Sequence, residues 1–171
     1  MWRRRSLAAL AVLRLGEAVL VHQAVERGPV DPGQARRLGH VARRAGDEPR
    51  QVLALELADD PGERANGLMF RESMPKSTGM LFVFPAPKHA TFWMKNTPLA
   101  LDIIFADQTG RVTRVHKDAV PFDESQIDGG PGVAFALEIN AGLVGPMGIS
   151  PGAVLRHPAI GATAAWTCEG S

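Results

Sequence analysis

From Gly67 to Ala106 the chain reads GLMFRESMPKSTGMLFVFPAPKHATFWMKNTPLALDIIFA. Three apolar runs, Met80–Phe84, Thr91–Met94 and Leu99–Phe105, stand between Gly, Pro and Asn residues. Short runs bounded by turn-forming residues are the pattern of sheet strands. Set among them are polar side chains, chiefly Lys95, Asn96 and Asp102, where bulky apolar ones would be expected. The mixture speaks to the fold and names no reaction.

The flanks extend the same pattern. On the N-terminal side Leu53, Leu55 and Leu57 alternate with Ala54 and Glu56, which predicts a half-buried strand. Asp60-Pro61-Gly62-Glu63 predicts a short helix, with Asp60 as cap, Pro61 at the first helical position and Glu63 at capping-box spacing. On the C-terminal side Ile103–Phe105, the turn Asp107–Gly110 and Arg111–His116 predict a hairpin. Val120–Gly132, dense in Pro and Gly, reads as a long surface loop. Phe135, Leu137 and Ile139 alternate with Ala136 and Glu138 as a further strand. Asn140-Ala141-Gly142 suits the cap of a short helix, and Val154–Arg156 a last strand. The predicted fold is all-β with minor short helices, a compact antiparallel β-sandwich or small barrel.

Charge divides the chain. Residues 1–50 hold ten Arg against five acids, whereas residues 51–171 hold nine Lys/Arg against thirteen acids, with all four lysines in the second part. Residues 1–50 therefore read as a basic leader and linker, 51–157 as the β domain and 158–171 as a loose tail. In the leader, Arg3–Arg5 precede the apolar run Leu7–Leu13, and Gly16-Glu17-Ala18 offers a small-x-small cleavage site. That is the outline of a signal peptide, which would place the protein outside the cytoplasm. Arg14 cuts the run short, and the other reading is an amphipathic helix or unstructured leader in a cytoplasmic protein. Gln34–Ala45 predicts a short basic helix, but no aromatic or recognition motif accompanies its arginines, so no nucleic-acid partner is expected. No run reaches the roughly 18 apolar residues of a membrane span. Cys168 is the single cysteine, so the core must hold without an internal disulfide.

The sequence contains no Gly-x-Ser-x-Gly elbow, no phosphate loop, no Cys-x-x-Cys and no histidine pair at ligand spacing; neither a metal nor a cofactor is expected. What remains are polar residues on strands: Glu56, Trp93, Lys95, Asn96, Asp102, Glu138 and Asn140. A carboxylate among apolar neighbours either faces solvent or needs a partner. Lys95 and Asp102 flank the turn Asn96-Thr97-Pro98 and are expected to meet as a cross-strand ion pair. The methionines and aromatics of the central stretch, Phe70 and Trp93 among them, are expected mostly in the core, although Trp93 beside Lys95 also suits an amphipathic groove.

Four motifs in order, ERANGLMFRESMP, GMLFVFP, FWMKNT-PLALDIIF and ALEINAG, closely resemble the DUF192 family, also called UPF0127, over about Gln51 to Arg156. The resemblance implies a compact β-rich domain, prokaryotic and often preceded by a signal peptide or lipoprotein leader, with no agreed activity. Carried over to this chain, the family's polar motif positions are Arg71, Trp93, Lys95, Asn96, Asp102, Glu138 and Asn140. The expected function is a binding or accessory domain with a polar cleft formed by these residues, taking a small-molecule or glycan ligand. The alternatives are a hydrolase-like enzyme using Asp102 or Glu138 near Lys95, and a purely structural or interaction domain. An adjacent lysine would lower a carboxylate's pKa, which argues against acid-base work at that pair.

Overall fold

The computed structural model describes residues 9–14 and 51–163. They form seven strands: β1 (Ala9–Arg14), β2 (Gln51–Ala58), β3 (Thr78–Phe92), β4 (Leu101–Ala106), β5 (Val112–Ala119), β6 (Ile127–Asn140) and β7 (Val154–Arg156). One short helix, α1 (Pro61–Asn66), and a 3-10 segment at Pro158–Thr163, interrupted at Gly161, complete the described elements. The all-β reading with minor helices holds. A single sheet runs in the order β5-β4-β6-β3-β2-β1-β7. It curls until its two edges touch: Arg111, just before β5, bridges Val154 of β7, and the Leu155 N–H donates to the Gly110 carbonyl at 2.7 Å.

The pairs are antiparallel except β2 with β3, which run parallel in the register Leu55 opposite Gly79. Parallel neighbours require a crossover of a dozen or more residues. Here the crossover is the segment 59–77, and it carries α1. β1 pairs with both β2 and β7, so Ala9–Arg14, within the stretch read as a leader, is a strand of the sheet. Gly16-Glu17-Ala18, the basic stretch 34–45 and Cys168 lie outside the described residues.

Strand parity generates two cores. All six residues of β4 are buried. Its Leu101, Ile103 and Phe105 join Met80, Phe82 and Ala136 on one face, while Ile104 and Ala106 join Leu53, Leu81, Leu137 and Ile139 on the other. Successive side chains on a strand point to opposite faces, so a strand covered on both sides has no polar face to show. This explains why β4 and the second half of β6 read as nearly unbroken apolar runs.

Three expectations need correction. The runs Met80–Phe84 and Thr91–Met94 are not two strands: Met80–Phe84 and Thr91–Phe92 lie on one fifteen-residue strand, and Trp93 and Met94 follow its end. Residues 127–132, expected in a loop, are the first part of β6. The two errors share a cause. Pro85 and Pro87 on β3 and the Asp128–Gly132 segment on β6 face one another where the register shifts between Val83 and Thr91. Bulges are where a paired strand tolerates Pro and Gly. Third, Asn140-Ala141-Gly142 leads into turns and caps no helix. Beyond β7, Ile160 is buried against the core cluster that contains Leu155.

Candidate functional site

The predicted capping box of α1 is present. Asp60 Oδ1 accepts the Glu63 N–H at 2.8 Å, and the Glu63 carboxylate accepts from the Asp60 N–H. Losing such a cap costs about 1 kcal/mol. Gly67 then turns the chain at φ 49°, where a side chain would press on the Phe82 ring. The turn leaves α1 and residues 66–69 lying over the β3 face that carries Phe82 and Phe84.

Between them is a pocket of about 360 Å³, inside the size range of small-ligand sites, about 300–1,000 Å³. Phe82, Phe84, Phe92 and Trp93 supply aromatic lining, with Leu68 and Met69 beside them. The rings pack edge to face, Phe82 on Phe92 at 5.1 Å and Phe84 on Phe92 at 6.5 Å between centroids. Trp93 is 47 % exposed and Phe82 only 3 %, so the pocket runs from solvent to core.

Glu138 lines the same pocket and is 5 % exposed. No hydrogen bond or ion pair joins its carboxyl to another described residue, and burial pushes its pKa up to about 8. It is therefore mostly a neutral acid at pH 7. The other charged groups lining the pocket are Arg64 of α1 and Lys88 of β3. Arg64 donates to the Asp59 and Val83 carbonyls, and the Lys88 ammonium sits 4.4 Å from the centre of the Phe84 ring.

Of the seven residues expected to form one cleft, Trp93 and Glu138 meet in this pocket and the others lie elsewhere. Arg71 makes a bidentate pair with Glu56 at 2.5 and 2.7 Å. That hydrogen bond holds the Glu56 carboxyl below its ordinary pKa and raises Arg71. Asn140 donates to the Met74 and Pro75 carbonyls and fixes the turn before β3. Asn96 sits at φ 53° and its carbonyl accepts the Phe70 N–H.

The Lys95–Asp102 ion pair does not form. Asp102, 1 % exposed, accepts the backbone N–H groups of Asp118 and Val144, each at 2.9 Å. Lys95 instead lies over the Trp93 ring at 5.1 Å and 3.7 Å from Glu124. Parity also separates the two carboxyls. Asp102 is opposite Ile139 in the β4–β6 register, and Ile103 is opposite Glu138, so the acids leave the sheet on opposite faces. Because Lys95 is a half-buried surface cation paired only with exposed Glu124 and the Trp93 ring, Lys95→Met is expected to change stability by less than about 1 kcal/mol in urea unfolding; a larger loss would contradict its surface placement.

The sequence reading missed the contributions of α1, the turn after it and β3: Arg64, Met69, Phe82, Phe84 and Lys88. Their signal was the helix and the aromatic run, read separately; only the parallel crossover lays one over the other. It also placed too many aromatics inside. Phe70 is 70 % exposed; Phe122, in the segment read as a surface loop, is 63 % exposed, and both stand at φ 62°. A bulky residue in that region is unusual and marks backbone held by its neighbours. Here the neighbours are the Asn96 and Thr97 carbonyls, which accept the Phe70 and Phe122 N–H groups.

Among the described residues no group of three His, Cys, Asp or Glu side chains is placed to hold a metal ion, and no helix is long and apolar enough to cross a membrane. The model of the DUF192 family, described as an uncharacterized ACR, matches residues 41–157. A crystal structure of a protein of unknown function from Novosphingobium aromaticivorans is 44 % identical with a TM-score of 0.60, over 63 % of this chain and 76 % of that one. A second crystal structure, of a Sinorhizobium meliloti protein provisionally described as a transcription regulator, is 32 % identical with a TM-score of 0.67, over 92 % of this chain and 99 % of that one. No curated protein matches the chain.

Proposed function

The chain belongs to the DUF192 family, and from that premise and the pocket we propose that it is a binding module for a small ligand held between aromatic walls and the Glu138 carboxyl. One observation carries this reading: Glu138, a residue 5 % exposed whose carboxyl has no hydrogen-bond or ion-pair partner among the described residues, lines a pocket of about 360 Å³. A carboxyl with no protein partner at the wall of a pocket is placed to hydrogen-bond a guest that enters it. Trp93 and Glu138 remain from the expected cleft; Asp102 acts as a brace for the backbone.

A thermal-shift screen of a fragment library on the full chain tests the proposal. Hits are expected, and Glu138→Gln or Trp93→Ala should weaken them by about tenfold or more, a loss of roughly 1.4 kcal/mol. A library without hits, or hits indifferent to both substitutions, would overturn it. The raised pKa also favours a second reading, since an acid still protonated at neutral pH is what general-acid catalysis needs. Conversion of a bound hit, followed by NMR and abolished in Glu138→Gln, would establish that reading.

A further inference from the structure

The nature of the ligand follows from the same pocket and rests on the binding proposal above. Aromatic faces carry negative potential and attract cations, best of all the weakly hydrated ammonium groups that carry alkyl substituents. Phe82, Phe84, Phe92 and Trp93 supply such rings, and Glu138 adds the carboxyl among them. Both features favour one guest, a positive charge spread over methyl or methylene groups. The protein's own cations already use these rings: Lys88 is 4.4 Å from the centre of Phe84 and Lys95 is 5.1 Å from that of Trp93.

Arg64 and Lys88 also line the pocket, Lys88 on its exposed side, and would repel a bare cation on approach. A guest whose positive group is followed by a negative one meets both sets of charges. We infer that the pocket binds a zwitterion carrying an alkylated ammonium, the ammonium seated among the aromatic rings at Glu138 and the anionic group toward Arg64 and Lys88. The shared chemistry is that of a betaine or a phosphocholine, free or as a lipid headgroup.

Binding is then linked to pH. Lys95 and Glu124, 3.7 Å apart beside Trp93, offset one another, so Arg64, Lys88 and Glu138 are the groups that set the local charge. Since Glu138 stays protonated up to about pH 8, an entering ammonium expels its proton. Affinity should rise about tenfold per pH unit well below that value and level off above it.

Isothermal titration of the full chain at pH 6, 7 and 8, in buffers of differing ionisation enthalpy, tests this with three probes: phosphocholine, choline and 3,3-dimethylbutan-1-ol, the uncharged isostere of choline. Phosphocholine should bind tighter than choline, and choline about tenfold or more tighter than the isostere, with close to one proton released at pH 6. Glu138→Gln should lose most of the affinity and its pH dependence. An isostere that binds as well as choline, or an affinity that falls with rising pH, would overturn the zwitterion while leaving the pocket a binding site for neutral guests. Fragment hits that need Glu138, with no probe bound, would have the same meaning; no hits and no probe bound would end both readings. Cosedimentation with phosphatidylcholine vesicles, against free phosphocholine, identifies the source, and retention or its absence upholds the class alike.

Discussion

At pH 8 Glu138→Gln is expected to be more stable than the wild-type protein by on the order of 2–4 kcal/mol, although it removes a side chain that faces the proposed ligand. The folded-state pKa of Glu138, about 8, stands above the ordinary 4.5. The folded protein therefore keeps a proton that the unfolded chain releases as pH rises. The stability is fully present below pH 4.5 and is lost progressively up to pH 8. His157 acts in the opposite direction. It is 3 % exposed, its Nδ1 accepts the Ala159 N–H, and its Nε2 has no partner among the described residues. Burial lowers its pKa from 6.5 to about 4, so stability present above pH 6.5 is lost as pH falls toward 4.

Between pH 4.5 and 6.5 the two slopes oppose one another, and these groups together give a plateau with a fall on either side. In Glu138→Gln only the histidine slope remains: stability should climb with pH to about 6.5 and then stay level. Urea unfolding at pH 5, 6.5 and 8 checks this. A variant less stable than wild type at pH 8, or one with a parallel profile, would show that Glu138 is not a strained buried acid. Excess stability at a ligand-facing position is the usual trade between a site and its scaffold.

Asp102→Asn should be nearly as damaging as Asp102→Ala, each costing on the order of 2–4 kcal/mol. Each carboxylate oxygen of Asp102 accepts one backbone N–H, from Asp118 at one and Val144 at the other. Removing the side chain leaves the buried Val144 N–H unmet, at a cost of about 1–3 kcal/mol, and the part-buried Asp118 N–H at a smaller one. An asparagine satisfies one and turns its own NH2 toward the other. Asp118 makes the arrangement stricter still, because its backbone is at φ 55° and the Asp102 bond helps to hold it there. Chemical denaturation of both variants decides: an asparagine variant within about 1 kcal/mol of wild type would mean that one of the two bonds carries little energy.

The sequence made some of this legible and not the rest, for identifiable reasons. Period-two alternation announced β2 and the second half of β6, an apolar run announced β4, and the Asp60 capping box announced α1, because each signal is local. The bulged middle of β3 and the start of β6 looked like loops because Pro85, Pro87 and the glycines at 129, 130 and 132 break the local pattern. Only the facing strand makes them extended. Trp93 and Glu138 stood out as polar or amphipathic residues on strands, yet so did Asp102, and parity across β4 and β6 is what divides them between faces. Lys95 and Asp102 were paired by proximity in sequence. The backbone donors that Asp102 prefers come from the far ends of two other connections, and no spacing rule reaches that distance.

The place of β1 bears on how the chain is made. Val12 pairs with Val52 on one side and with Arg156 on the other. During synthesis residues 9–14 emerge before any other described strand, but one of their two neighbours is the last described strand to leave the ribosome. Until then the open sides of β1 and β2 are sticky edges, and the sheet cannot complete itself while translation is under way. Slow, end-to-end pairings of this kind set folding rates. The nascent chain is thus most exposed to misassociation in the interval before β7 appears, and a chaperone that shields the N-terminal strand would be most useful there.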